Sequence, residues 1–317
     1  MRKTTALIVA FGILASLTAC AGGAGSNGCD PLVSSGDASA VVTAPGKLGA
    51  APKVDFPTPL YSKTTEKSEI IAGKGAPIQD GQPVIVDVTI LNATDGTVLQ
   101  KSSYAAGGGS IITAGKSTFP AVSDSLRCAT VGSRVAIVGS PKDSHSGQAD
   151  AANGIAKDDS FVYIVDVKSA FRAKADGADQ VPVNELPAVV LAPDGTPGLT
   201  IPNTSAPKSF SATLLKKGDG AKVKQGDYLI IKDTGVNWAD KTVFSSTWKT
   251  GQATVIQVGA SSVVAGLSKG LIGQRVGSQV LLVVPPKLAT SDGTDTSVMV
   301  PTGATLVYVV DILGIAL

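Results

Sequence analysis

Short runs of apolar, β-branched residues separated by Gly, Pro, Asn and Asp make up most of this chain. Such runs are typical of β-strands, because a buried strand favours bulky side chains and its turns favour small or polar ones. The pattern predicts strands at residues 84–90, 134–138, 161–167, 228–232, 279–284 and 306–313.

Helical spacing is much rarer. Residues 263–272, and a counterpart around residues 118–126, each suit two or three turns of helix. A sheet with one apolar face needs a second layer to cover that face, and one short helix per sheet can supply it. We therefore predict an α+β fold in which mostly antiparallel sheets each pack on one short α-helix.

The apolar pattern occurs twice along the chain. The string VGSRV at residues 131–135 returns as VGSQV at residues 276–280, and VYIVDV at residues 162–167 returns as VYVVDI at residues 307–312. The offset is 145 residues in both cases (276 − 131 and 307 − 162). A period this long suits a domain with its own core rather than a solenoid repeat of roughly 20 to 50 residues.

Two homologous domains are therefore predicted, at residues 53–170 and 209–317, with a connecting segment at residues 171–208. The connector is rich in Pro, Ala, Asp and Gly, which predicts a semi-extended linker. Its apolar residues at 189–191 and 199–201 leave open additional edge contacts to the second domain.

The first twenty residues predict export. Arg2 and Lys3 precede an apolar run at residues 6–17 that is too short to span a bilayer. The run ends in the letters LTAC, similar to a bacterial lipobox, so residues 1–19 are predicted to be a lipoprotein signal peptide and Cys20 to be lipidated. The alternative is a cleaved export signal with an incidental cysteine. Two acyl chains on Cys20 would anchor the mature protein outside the cytoplasmic membrane.

Residues 20–52 are dominated by Gly, Ala, Ser and Pro without periodicity, which predicts a flexible tether. The chain has three cysteines, and with Cys20 lipidated only Cys29 and Cys128 remain as disulfide partners. An extracytoplasmic setting permits such a bond. We expect a Cys29–Cys128 bridge that fastens the end of the tether to the first domain, with two unpaired thiols as the alternative.

The charge balance argues against nucleic acid as a partner. The chain has 27 Lys and Arg against 25 Asp and Glu, and loss of Arg2 and Lys3 with the signal peptide leaves 25 of each sign (27 − 2). A neutral chain lacks the basic footprint of nucleic-acid-binding proteins. His145 is the only histidine, in a polar loop where we expect it to be exposed, and a lone histidine is a poor metal site. No metal or cofactor is expected.

The second half carries an ordered series of short motifs: LKKGDG at 215–220, TGV at 234–236, TVF at 242–244, VGS at 276–278, VVPP at 283–286 and GATLVY at 303–308. Together they resemble an FKBP-type peptidyl-prolyl cis-trans isomerase domain over residues 209–317. The constant offset extends the resemblance to residues 53–170. The order of signal, tether and tandem domains is similar to that of actinobacterial surface lipoproteins.

This resemblance implies an enzyme that isomerises X-Pro peptide bonds without a nucleophile, a metal or an acid–base pair. The bond rotates over a barrier of about 18–20 kcal/mol because twisting breaks the amide resonance. A dry aromatic pocket lowers this barrier by favouring the twisted amide over the planar one. The implied partners are proline-containing segments of secreted or envelope proteins, and the oligomeric state is left open.

The resemblance also places a proline pocket in the second domain. Phe244, the pair Val263 and Val264, and Tyr308 match the family's pocket positions, and Val300 is a further candidate. These side chains equally suit ordinary core packing, since buried apolar residues usually belong to a core.

Several pocket positions depart from the family pattern. Asp233 stands where the family has a tyrosine, Ser245 where it has an acid, and Leu267 where it has the tryptophan of the pocket floor. The loop at residues 287–291 contains no aromatic residue. The first domain departs further, with aliphatic or polar residues at all but the last equivalent position: Val88, Leu99, Gln100, Val122 and Tyr163.

Two other motifs are chance matches. The letters DTG at residues 233–235 spell the aspartic protease tripeptide, but the equivalent residues 88–90 read VTI, so only a homodimer could supply the second aspartate. Ser246 and Lys249 have the spacing of penicillin-binding enzymes, but the KTG that should lie on a separate element overlaps them.

Two functions follow from the sequence. The first is an extracytoplasmic prolyl isomerase or folding factor whose depleted aromatic pocket implies weak activity or none. The second is a catalytically inactive relative that serves as a chaperone or partner-binding envelope lipoprotein.

Overall fold

A computed structural model describes residues 29–115, 120–181, 183–290 and 303–316. The described residues form two large antiparallel sheets, each with a short helix on its inner face, and a separate two-stranded hairpin, so the predicted α+β class is confirmed. The signal peptide, Cys20 and Val300 lie outside the described residues. No helix in the described parts of the chain has the length and apolarity needed to cross a bilayer.

The first half forms a six-stranded sheet in the order β1-β5-β6-β2-β3, with β4 also paired to β2. Its strands are β1 (Glu66–Ile71), β2 (Pro83–Asn92), β3 (Val98–Lys101), β4 (Ser110–Thr113), β5 (Arg134–Gly139) and β6 (Phe161–Ala170). Three helices accompany it: α1 (Asp37–Ala40), α2 (Pro120–Leu126) and α3 (Pro141–His145).

The second half forms a seven-stranded sheet in the order β12-β11-β15-β14-β10-β7, with β13 also paired to β11. The connector supplies β7 (Ala178–Asp179) to this sheet and forms a hairpin from β8 (Ala188–Leu191) and β9 (Pro197–Thr200). The remaining elements are β10 (Ser211–Lys217), β11 (Tyr228–Asn237), β12 (Val243–Ser246), α4 (Thr247–Thr250), β13 (Thr254–Gln257), α5 (Ala265–Leu271), β14 (Gln279–Val284) and β15 (Leu306–Ala316).

The offset of 145 residues relates the two sheets strand by strand, and it also relates their irregularities. The pairing of β2 with β6 shifts between Ile85 and Val86, and the pairing of β11 with β15 shifts between Ile230 and Ile231. A bulge displaces the pairing of all residues beyond it. Its recurrence at the same offset means that equivalent side chains lie on the same face in both sheets.

In each half the inner helix packs closely on its sheet where a glycine meets a larger residue. The glycine is in the helix in one half and in the strand in the other. In α5, Gly266 lies against Val284 of β14, and a Cβ built on this glycine would lie 2.3 Å from the valine side chain. In the first half, Ala121 of α2 faces Gly139 of β5, where an added Cβ would lie 3.0 Å from the alanine. The larger side chain belongs to the strand in the second half and to the helix in the first half, so both halves keep the close helix–sheet contact.

The outer face of the first sheet is covered by the segment predicted to be a flexible tether. Val42 and Ala44 are buried against sheet residues such as Ala136 and Ile164. For residues 29–52 the tether prediction is therefore wrong. The physical reason is that few but well-placed apolar residues in this Gly- and Ser-rich segment find a ready apolar surface on the sheet.

A buried arginine fastens this segment. The Arg134 guanidinium pairs with Asp166, with Nη2 2.7 Å from Oδ2, and both side chains are fully buried. It also donates to the carbonyl oxygens of Ala44 (3.0 Å), Lys47 (3.1 Å) and Ala50 (3.2 Å). A buried charge is stabilised only where such partners replace water. The second sheet has Gln279 and Asp311 at these positions, joined by one hydrogen bond of 2.7 Å.

The connector is likewise packed rather than free. Val189, Leu199 and Ile201 cover the outer face of the second sheet, where they contact a cluster that includes Val283 and Trp238. These contacts cover the face of the sheet, not only its edge. The compact path of residues 171–208 differs from the predicted semi-extended linker because the hairpin β8–β9 gives the connector an apolar surface of its own.

The structure joins Cys29 and Cys128 in a disulfide, with their Cα atoms 5.7 Å apart. The bond closes a loop between residues 99 positions apart. In the chain-entropy description, cross-linking a loop of this length raises the free energy of the unfolded chain by about 4–5 kcal/mol and so stabilises the fold. The disulfide and Arg134 thus hold the two ends of one N-terminal segment against the first sheet.

The two halves also contact each other. The Lys232 ammonium donates to the carbonyl oxygens of Gly81 (3.1 Å) and Ala173 (2.9 Å) and lies 4.7 Å from the Trp248 ring centre. An apolar cluster built on Ile230 and Leu313 includes Ile111 from the first half.

We predict that Arg134→Met lowers the free energy of unfolding by about 3–5 kcal/mol, because Asp166 stays buried without its cation. Arg134→Gln, which copies the Gln279–Asp311 pair, should lower the free energy of unfolding by a smaller amount. Urea unfolding and hydrogen exchange at the Gly49 amide, which donates to Asp166 at 3.1 Å, measure both effects. A Met variant with parental stability and parental Gly49 exchange would contradict the role assigned to Arg134.

Candidate functional site

The candidate pocket lies on the inner face of the second sheet. Asp233 and Gly235 of β11 point to this face because side chains alternate along a strand. Gly235 is paired with Ser245 of β12 on one side and with Tyr308 of β15 on the other. The sheet register therefore brings these residues together from three strands.

The missing side chain of Gly235 makes room for two aromatic rings. Phe244 and Tyr308 meet edge to face above it, with ring centres 5.5 Å apart and planes at 87°. A Cβ on Gly235 would lie 2.7 Å from a Phe244 ring atom and 3.0 Å from a Tyr308 ring atom. This edge-to-face arrangement is the favoured geometry for an aromatic pair. Any larger residue at position 235 would have to displace one of the rings.

Helix α5 closes the pocket region from the opposite side. Val264, at the start of the helix, is buried in the same core cluster as Tyr308. Leu267 is half-buried and packs against that cluster, as Phe244 does. Val263 is half-buried and is not part of the cluster. The described pocket candidates thus combine core packing with partial exposure, and their role as a proline pocket stays a prediction.

Asp233 adds a carboxyl group to this apolar surface. Its side chain is 7% exposed, and Oδ2 accepts a hydrogen bond of 3.2 Å from the Ser245 hydroxyl. Its backbone N–H donates to Oγ1 of Thr247 at 2.7 Å. Burial raises the pKa of Asp233 above its ordinary range, and the hydrogen bonds from Ser245 and Thr247 oppose this shift. Burial also raises the pKa of Tyr308, and the nearby Asp233 charge adds to this effect.

The equivalent region of the first half is filled. Ile90 occupies the position of Gly235, and Leu99 that of Phe244; both pack against the core cluster that contains Val88, Val122 and Tyr163. Because Ile90 projects where Gly235 leaves space, the first sheet has no equivalent room for an aromatic pair. Burial raises the pKa of Tyr163 to about 12.

His145 is half-buried rather than exposed as the sequence suggested. Its ring lies 5.0 Å from that of Phe161, and its two nitrogens lie 2.7 Å and 2.8 Å from the carbonyl oxygens of Gln148 and Asp159. Helix α3 explains the difference, because it ends at His145 and places the ring against Phe161 at the start of β6. Among the described residues, no group of three His, Cys, Asp or Glu side chains is placed to hold a metal ion.

Comparison with known proteins gives a specific match for this half of the chain. Residues 220–313 match the family model described as FKBP-type peptidyl-prolyl cis-trans isomerase. The second half of the chain contains an FKBP-type domain. The match includes Asp233, Gly235, Phe244 and Tyr308, so the pocket described above lies within the matched FKBP-type domain.

Individual proteins and solved structures are similar to parts of this chain. An FK506-binding protein of Streptomyces anulatus is 26% identical over 38% of this chain and 96% of its own length. A probable FK506-binding protein of Corynebacterium glutamicum is 28% identical over 37% of this chain and 97% of its own length. A crystal structure of the three FKBP domains of wheat FKBP73 is 20% identical with a TM-score of 0.34, over 80% of this chain and 94% of its own.

Sequence reasoning missed the role of Gly235 in the FKBP-type domain. A glycine offers no side chain from which to argue chemistry, but the repeat contained a usable signal, since the offset of 145 residues pairs Gly235 with Ile90. A change from a large β-branched residue to glycine on an inner strand indicates that a neighbour needs the space.

Gly235→Ala should destabilise the FKBP-type domain by about 1–3 kcal/mol, because the new methyl group overlaps both rings. Thermal unfolding and the aromatic NMR signals of Phe244 and Tyr308 report the effect. Gly198→Ala is the matched control, since an added Cβ there meets nothing closer than 3.5 Å. Equal stability of the two variants would show that the rings do not depend on Gly235.

Asp233→Asn should stabilise the domain at neutral pH. A carboxyl group whose pKa is raised by folding favours the folded state only while it is protonated, so its burial cost appears as the pH rises above about 4. The amide removes that cost and still accepts from Ser245. Unfolding free energies of parent and variant should converge at low pH and separate towards neutral pH. A constant difference across this range would refute the assignment.

Proposed function

We propose that the FKBP-type domain at residues 209–317 catalyses cis–trans isomerisation of X-Pro peptide bonds. The observation that carries this proposal is the edge-to-face pair of Phe244 and Tyr308 above Gly235, inside the segment that matches the family model. Flat, rigid rings provide the apolar surface on which a proline ring can be held.

The chemistry requires positioning alone. Holding the proline ring among Phe244, Tyr308 and Val264 takes the adjacent amide out of water. The twisted amide has a less polar carbonyl group than the planar one, so an apolar environment favours it. No proton transfer or covalent step is needed. Leu267 supplies a flexible aliphatic surface where the sequence resemblance implies a tryptophan, so turnover is expected to be slow.

The proposal extends to the architecture. The chain consists of two FKBP-like domains, residues 53–170 and 209–317, and turnover belongs to the second. Support comes from the offset of 145 residues, which relates the strands of both sheets, and from Ile90, which fills the position of Gly235 in the first sheet. The first domain then acts as a scaffold that is fastened to the N-terminal segment by Arg134 and the disulfide.

The proposed location is outside the cytoplasmic membrane, with a lipid anchor on Cys20. The sequence before Cys20 and the use of cysteines in a disulfide support it. The substrates are accordingly proline-containing segments of secreted or envelope proteins.

A second function, a non-catalytic partner-binding or chaperone module, is favoured by the replacements at the pocket. Asp233 and Leu267 reduce the aromatic surface, and a domain that only binds an apolar segment does not need to distort an amide. The two functions differ in turnover, not in the location of the site.

Cys20→Ala should abolish lipid attachment and release the protein from the membrane fraction. Metabolic labelling with a fatty acid, together with membrane fractionation, tests this prediction. Cys128→Ser is the control, because it removes a thiol without touching the lipidation motif. A protein that labels equally in both variants would contradict the assignment of Cys20.

Turnover is tested with a proline-peptide isomerisation assay on the full chain. We expect measurable activity in the parent and at least a tenfold loss in Phe244→Ala, because the variant removes half of the aromatic pair. Leu99→Ala is the matched control, since it truncates the equivalent half-buried residue of the first domain. If the activity of the parent protein does not exceed background, the isomerase proposal is refuted and the binding-module proposal remains. Equal losses in both variants would refute the assignment of turnover to the second domain.

A further inference from the structure

Asp233 has no part in the isomerisation chemistry described above, yet it lies on the pocket face of the FKBP-type domain. The first domain has Val88 at the same position, buried in its core. Burying a valine at this position costs less free energy than burying a carboxyl group, because the carboxyl group loses its hydration. The presence of an acid in the domain that has the aromatic pair points to a task at the pocket.

Among the residues that the structure describes, none supplies a cation to the Asp233 carboxyl group. Its polar contacts are with Ser245 and Thr247, and no Lys, Arg or His among the described residues forms an ion pair with it. The neighbouring Lys232 points to the opposite face of β11, where it donates to Gly81 and Ala173. Aspartate side chains are rarely buried to this extent without an ionic partner. The cation that would complete this environment is absent from the described chain.

The strand geometry places the acid at a defined distance from the rings. Asp233 and Gly235 are two residues apart on the same face, which is about 6–7 Å along a strand. One residue of an extended peptide spans about 3.3–3.6 Å. A proline held against the rings of Phe244 and Tyr308, which lie above Gly235, would therefore leave the side chain of an adjacent residue within reach of the Asp233 carboxyl group.

We propose that Asp233 determines substrate choice, and that the pocket prefers prolyl peptides with a lysine or arginine next to the proline. This inference rests on the proposed proline site. An ammonium or guanidinium group would form a charge-assisted hydrogen bond with Asp233 in a setting largely removed from water, where such bonds are strongest. Ser245 would hold the carboxylate in place through the hydrogen bond it already donates.

The test uses the full chain and peptides that differ only next to the proline, with lysine, the uncharged isostere norleucine, or glutamate placed before the proline in one series and after it in another. Isomerisation is followed by NMR exchange, and binding separately by chemical-shift titration. We expect lysine to exceed norleucine by about tenfold in at least one series, with glutamate weakest. Asp233→Asn should bring the three peptides to the same level.

Asp219→Asn is the matched control, because it removes one negative charge from a side chain that is 96% exposed. Thermal unfolding verifies that both variants are folded. The norleucine peptides test the proline site without involving Asp233, so the two proposals are separable.

Turnover that is equal for all peptides, or a lysine preference that survives in Asp233→Asn, would overturn the inference and leave the isomerase intact. A lysine preference in binding that is lost in Asp233→Asn, without turnover of any peptide, would support recognition by Asp233 and refute catalysis. No binding and no turnover of any peptide would overturn both.

Discussion

The space above Gly235 is the constraint on which the candidate site depends. Phe244 and Tyr308 come from strands on either side of β11, and their rings meet only because nothing projects from the strand between them. The sheet register then places Asp233 beside the rings and Ser245 within hydrogen-bonding distance of Asp233. In the first half, Ile90 fills the same space and the surrounding side chains close into an ordinary core.

The two halves show how one sheet architecture accommodates different side chains at equivalent positions. The small residue at the helix–sheet contact changes sides, from Gly139 in the first half to Gly266 in the second. On the outer face, a charged pair in the first sheet corresponds to an amide–acid pair in the second, and each aspartate accepts a hydrogen bond from a backbone N–H of the segment that covers it. Burial of Asp311 in this arrangement raises its pKa, and the hydrogen bonds from Ala175 and Gln279 and the charges of Lys232 and Lys216 oppose the shift. The shared backbone register is compatible with an aromatic pair in one copy and an aliphatic filling in the other.

Much of the fold could be predicted from the sequence, because long β-branched runs leave few alternatives to strands. Arg134 to Val138 and Gln279 to Val284 are examples of runs that the structure places in central strands. The short strands β3 and β12 were not predicted, since four residues carry too little periodicity. The prediction for residues 29–52 was wrong because composition suggested a tether, whereas their docking depends on Arg134, which is 84 to 90 positions from the residues it binds.

The site was harder to predict for a physical reason. Motif matching located Phe244, Val264, Tyr308 and Asp233, but hydrogen bonding between Ser245 and Asp233 depends on the pairing register of β11 and β12, which no local pattern encodes. The most direct test of the account replaces Gly235 with the residue of the other half. Isomerisation of a proline peptide by Gly235→Ile should fall at least tenfold in a folded protein, while Ile90→Gly keeps parental activity. Full activity in Gly235→Ile would contradict the central claim that the space above this glycine forms the site.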